Sequence, residues 1–221
     1  MSQIDLNYHK EIVMDTLIFL AYEILVSILP FLIVFSIIRK TNLQKGLSFS
    51  RFHMLSVIAF SVYIVGVYHF TGAGTIYDVL LYQLELRYDQ LNFTPFSNTI
   101  DIVAYLLNIL LFIPLGFLAP VIWLDMNKLG KVIGVGFLFT FLIELSQLFN
   151  NRRTDIDDIL LNVLGAAIGF MLYKLFDQLT KSKFRIKSPN AVELTFCILF
   201  VFASRFFLFY EMGLAKLLYG F

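Results

Sequence analysis

Cysteine, histidine and charge are all scarce in this chain, and each scarcity removes a class of function. Cys197 is the only cysteine among 221 residues, so no disulfide can close within the chain; its expected role is that of a small buried apolar side chain. With three histidines, no His-rich ligand set, Ser–His pair or Cys–His pair supports a zinc or covalent mechanism. Charged residues are 15% of the chain, against about 25% in a soluble domain. No basic block with interleaved aromatics is present, so nucleic acid is not an expected partner. There is no internal repeat, no low-complexity segment and no linker that would divide the chain, so residues 1–221 read as a single domain.

What the chain has in abundance is apolar sequence. Hydrophobic residues make up 59% of it, and the mean hydropathy is +0.80. Crossing a hydrocarbon layer takes about 20 apolar residues, and runs near 16–38, 52–70, 102–124, 131–149, 159–177 and 191–212 meet that need. The expected fold is therefore an all-α polytopic membrane protein, a bundle of about six transmembrane helices. The last run can extend further, because GLAKLLYGF stays helix-compatible. The first run is expected to remain as an anchor: it is too long for a signal peptide, and the segment before it is acidic on balance. Ile76, Val79, Leu80 and Leu84 share a helical phase, which predicts an interfacial helix at 76–91, either on the outer leaflet or packed over the bundle.

Lys and Arg in short loops set orientation. Arg39, Lys40, Lys45 and Arg51 separate the first two spans. Lys128 and Lys131 separate the third and fourth, and Lys174 to Lys187 follow the fifth. All three clusters fall on one side, assigned to the cytoplasm, which places both termini outside.

Polar residues inside the runs are expected to face the bundle interior. At about 100° per residue, Asp155, Asp158, Asn162, Gly165 and Gly169 fall on one stripe of the fifth span, while Asp157 points towards water. Glu144 shares a face of the fourth span with Gly136, Thr140 and Gln147. Asn108, Glu144 and Asn162 are expected at similar depths, on the order of 6–10 Å below the outer surface, under a rim formed by Arg152 and the two aspartates. Taken singly, such amides can be simple helix-joining hydrogen bonds worth about 0.6 kcal/mol. Elsewhere, Glu23 and Arg205 lie at similar depths, predicting a structural ion pair. His53 and His69 are expected at the interfaces, and Trp123 and Tyr68 in aromatic belts.

Four elements in order carry a family likeness. They are Asn92-Phe93-Thr94-Pro95-Phe96; Asn108-x-x-x-Phe112-x-Pro114-Leu115-Gly116; Glu144-x-x-Gln147; and Arg152-x-x-Asp155-Ile156-Asp157-Asp158-x-x-x-Asn162-x-x-Gly165-x-x-x-Gly169. Residues 92–175 thus resemble the core of the VanZ-like family of bacterial membrane proteins, with 1–91 and 178–221 as accessory transmembrane segments. Where that family often has Gly-Arg, this chain has Asn151-Arg152, with Arg153 following; spacing to Asp155 favours Arg152 as the equivalent arginine. The resemblance implies a bacterial cell-membrane protein linked to glycopeptide resistance, teicoplanin more than vancomycin, with no established reaction.

Alternative functions follow from the same residues. Asn108, Glu144, Gln147, Arg152, Asp155, Asp158 and Asn162 can line an outward-facing pocket for an outer-leaflet ligand such as a lipid-linked cell-wall precursor or an acylated glycopeptide. Arg152 would grip a phosphate or carboxylate in bidentate fashion. As an enzyme acting on a lipid-linked phosphate or headgroup, the chain would use Glu144 as general acid or base, and Asp158 with Asp155 to hold a divalent cation. A transporter is disfavoured by the lack of paired repeats; a structural or regulatory partner is the remaining alternative.

Overall fold

The computed structural model describes residues 3–44, 50–82, 90–97, 101–181, 183–184 and 191–220. Its elements are α1 (Gln3–Gln44), α2 (Arg51–Thr71), α3 (Asp78–Tyr82), β1 (Leu91–Asn92), α4 (Ile102–Ile122), α5 (Leu129–Gln147), β2 (Thr154–Asp155), α6 (Ile156–Leu179), α7 (Ala191–Leu208) and α8 (Glu211–Tyr219). Among the described residues, five helices are long and apolar enough to cross a membrane, and the pair α7–α8, bent by 45°, brings the number to as many as six. The expected helical bundle is the fold observed.

The tightest unit is α4 against α6, with α5 packed on α6, and α1 paired with α7 on the other side of α2. Glycine makes the α4–α6 contact possible. A Cβ at Gly116 would meet the carbonyl of Ala166, one at Gly165 the carbonyl of Ile109, and one at Gly169 the carbonyl of Ile113. Backbone therefore lies on backbone, as small residues permit between membrane helices. Around this unit, Phe60, Tyr68, Phe112, Trp123 and Phe139 form a fully enclosed aromatic core. Trp123 meets Phe60 edge-on at 5.2 Å, and Tyr68 meets Phe139 edge-on at 5.1 Å. Both were expected in aromatic belts; each is 0% exposed. Position near a span end could not reveal that neighbouring helices, rather than lipid, surround these rings. Cys197 is buried as expected, with its sulfur 3.3 Å from the Ser61 hydroxyl.

The end of the bundle where α2 and α7 terminate is tied by side chains. Glu23 meets Arg205 with Oε1 2.7 Å from Nε, confirming the predicted pair, and its Oε2 lies 2.7 Å from His69 Nδ1. Arg205 Nη1 also donates to the Ala73 carbonyl at 2.7 Å. At the opposite end His53, expected at an interface, is buried instead and contacts Glu193 at 2.8 Å. Of the helix expected at 76–91, Asp78–Tyr82 is helical, residues 83–89 lie outside the described residues, and Leu91 is extended in β1.

Candidate functional site

The segment from Gln147 to Asp158 turns the chain from α5 into α6, and nearly every polar group in it has an assigned partner. Asn151 adopts the left-handed conformation with φ 56°, open to glycine and tolerated by asparagine. That explains why asparagine can stand here before Arg152 where glycine is common in similar sequences. The Arg152 N–H then donates to the Gln147 carbonyl at 3.1 Å.

Two clusters result rather than one. In the first, β2 runs parallel to β1, with Asn92 opposite Asp155. Asn92 Nδ2 donates to both oxygens of Asp155, at 3.0 and 3.1 Å. Asp155 is not helical but caps α6, accepting from Asp157 N–H at 3.1 Å, where a carboxylate complements the helix dipole. Its own N–H donates to Glu144 Oε2 at 3.0 Å. Asn108 Nδ2 donates to Asp158, and Asn162 Nδ2 donates to the Thr140 hydroxyl at 2.8 Å. Glu144 and Asn162 are enclosed, while Asn108, Asp155 and Asp158 are half-buried. Of the stripe expected on the fifth span, Asp155 precedes α6 rather than lying on it, and Asn108, Glu144 and Asn162 do not bond to one another. Each has instead found a partner on a neighbouring element.

Asp157 reverses its expectation. It is 2% exposed, accepting from Phe96 N–H and from the Tyr105 hydroxyl, both at 2.8 Å. The loop at 93–97 folds over the start of α6 and covers it. Phe96 is left-handed there, with φ 55°, a conformation costly for a bulky residue and held by the surrounding contacts.

The second cluster closes α2. That helix ends in Gly72, left-handed at φ 63°, whose N–H bonds back to the last turn. The terminal carbonyls would otherwise lack partners. Gln147 Nε2 and Arg152 Nη1 both donate to the Thr71 carbonyl, at 3.0 and 3.1 Å. Asn150 Nδ2 donates to Gly72 at 2.9 Å, and the Ser146 hydroxyl receives Gly74 N–H at 3.0 Å. The Arg152 guanidinium lies flat on Gly72, in space that a Cβ would take. Gln147 and Arg152 thus stand apart from Glu144 and Asn108.

Arg152 faces a different cavity, of about 700 Å³, between the N-terminal half of α1, the C-terminal ends of α2 and α7, and the short helices α3 and α8. Glu23, His69 and Arg205 share its wall, with Asp15, Asp78 and Glu211; Phe19, Leu20, Leu81 and Phe209 supply apolar surface. The floor proposed from Asn108 and Glu144 is absent from its lining. Sequence reasoning missed His69, Asp78 and Tyr210 as its neighbours, because they come from segments far apart in the chain. Among the described residues, no three His, Cys, Asp or Glu side chains are grouped to hold a metal ion.

Comparison with known proteins places this geometry in context. The family model described as VanZ/LLP1 matches residues 12–177, taking in α1 and α2 as well as the motif-bearing helices. Protein VanZ of Enterococcus faecium is 34% identical over 86 residues, covering 38% of this chain and 53% of that protein. The chain thus spans about half the length of this curated relative. No solved structure matches it.

Proposed function

The chain belongs to the VanZ/LLP1 family, and from that premise we propose that it binds an outer-leaflet ligand and thereby lowers susceptibility to glycopeptides, teicoplanin above all. The ligand would be an acylated glycopeptide or a lipid-linked cell-wall precursor. The protein is a multi-pass helical membrane protein; in this reading it sits in the bacterial cell membrane with both termini extracytoplasmic. The cavity beside Arg152 carries the reading: its volume of about 700 Å³ suits a small ligand or a headgroup, for which sites run to roughly 300–1,000 Å³.

Arg152 supports the reading through its donors. Among the described residues, its side chain gives a hydrogen bond to the Thr71 carbonyl, and a guanidinium carries five N–H donors. It can cap α2 and still meet an anionic group. The carboxylates that an enzymatic reading would use lie outside this cavity: Glu144 accepts from Asp155 N–H and Asp158 from Asn108 where the helices join. That favours binding over chemistry.

The test is susceptibility of a strain expressing the protein, with membrane levels matched between variants. Wild type is expected to raise the teicoplanin concentration needed to stop growth, vancomycin less so, and Arg152→Ala to remove most of the difference. An Arg152→Ala strain as protected as wild type would end this assignment.

A further inference from the structure

The charge on the cavity wall does not suit a purely anionic ligand. Among the described residues, four carboxylates line it, those of Asp15, Glu23, Asp78 and Glu211, against two guanidiniums, Arg152 and Arg205. Pairing leaves the excess in place. Arg205 is spent on Glu23, which also meets His69. Asp78 accepts the Thr75 N–H and hydroxyl at 2.6 and 3.2 Å, neither of which carries charge. Glu211 is exposed in the first turn of α8. Once Glu23 and Arg205 are set against each other, the described residues of the wall present one guanidinium, Arg152, and three carboxylates, those of Asp15, Asp78 and Glu211.

Such a wall attracts positive charge, and two aromatic rings border it. Tyr77 and Tyr210 stack at 4.4 Å between centroids, and both line the cavity beside Asp78 and Glu211. Carboxylate and aromatic face together are what an ammonium group prefers. Phe209 and Leu81 provide an apolar wall for a chain.

Resting on the ligand-binding reading above, we infer that the cavity takes an amphiphile bearing a free amine as well as an anionic group: the anion against Arg152, the ammonium among Asp78, Glu211 and Tyr210, the acyl chain outermost. A membrane lipid with an amine headgroup and an amine-bearing acylated glycopeptide both have this chemistry.

Binding by the purified full chain distinguishes them. The lipid arm uses lysophosphatidylethanolamine, its N-acetyl derivative and lysophosphatidylglycerol; the soluble arm uses teicoplanin and N-acetylated teicoplanin. In the arm holding the natural source, the free amine is expected to bind at least about tenfold more tightly than its N-acetyl form. Glu211→Gln, at an exposed position, should cut that preference severalfold without affecting folding, and Asp78→Asn should add to the effect. Arg152→Ala should weaken amine and N-acetyl forms by a similar factor. If N-acetylated and purely anionic probes bind as tightly as the amines, and Arg152→Ala still weakens them, the amine requirement is wrong while ligand binding stands. If no probe in either arm binds, the inference fails, and the susceptibility result for Arg152→Ala judges the wider reading separately.

Discussion

Glu23 is 1% exposed and answers to both Arg205 and His69, so a buried carboxylate on the cavity wall is retained by two partners. Removing one member of a buried pair strands the other, at a cost of about 3–5 kcal/mol. Glu23→Leu and Arg205→Leu should each lower the thermal unfolding temperature sharply, and the double variant by less than the sum. It will not return to the level of Glu23→Leu alone, because Arg205 also holds the Ala73 carbonyl; full additivity would reject the pairing. Asp157 makes a parallel case. Its carboxylate gathers Phe96 N–H and the Tyr105 hydroxyl, and hydrogen bonds to charged groups contribute about 1.5–3 kcal/mol each. Asp157→Ala should therefore open the loop at 93–97, read as faster proteolysis there. The Glu23–Arg205 pair was legible from depth alone, because two opposite charges in lipid have few other options. Asp157 was not: helical phase knows only its own helix, and the cover comes from a loop about 60 residues earlier.

Between α4 and α6, the elements meet through glycine. Gly116, Gly165 and Gly169 each face a carbonyl of the partner helix, whereas Gly134 on α5 faces open space. Gly165→Ala should destabilise by about 1–3 kcal/mol through overpacking, and Gly134→Ala should be near neutral; equal effects on thermal unfolding would contradict the close approach. The α2 terminus makes a different prediction. A Cβ at Gly72 would occupy the place of the Arg152 guanidinium, and φ 63° already disfavours a side chain. Gly72→Ala should thus mimic Arg152→Ala in the susceptibility assay while leaving Arg152 in the chain. Helices of this length were readable from apolar runs, and the Gly165–Gly169 step from its spacing. The capping of α2 by Gln147, Asn150 and Arg152 was not, since it joins residues roughly 75–80 positions apart with no periodic signal. Trp123 and Tyr68 failed for a related reason: hydropathy separates apolar from polar surroundings but not protein from lipid.

Across the whole molecule, two polar systems of different make-up lie at the end of the bundle where α5 passes into α6. The cluster of Asn92, Asn108, Glu144, Asp155, Asp157 and Asp158 joins the 93–97 loop, α4, α5 and α6 through hydrogen bonds. The cavity lined by Arg152 carries charge of both signs among its described residues, and open volume. Family motifs supply the first and, of the second's charged residues, Arg152 alone, and the sequence merged them into one pocket because Glu144, Arg152 and Asp155 are neighbours along the chain, while the turn at Asn151 sends Arg152 the other way. Binding should therefore depend on Arg152, Asp78 and Glu211, and stability on Glu144, Asp155 and Asp157. Glu144→Gln, which keeps the size of the side chain, is expected to alter thermal unfolding more than ligand retention. The most direct test is mass spectrometry of what gently purified protein retains. Wild type is expected to carry a specific amphiphile that Arg152→Ala, equally folded, has lost. The same retained species on both proteins, in the same amount, would contradict a ligand site at Arg152.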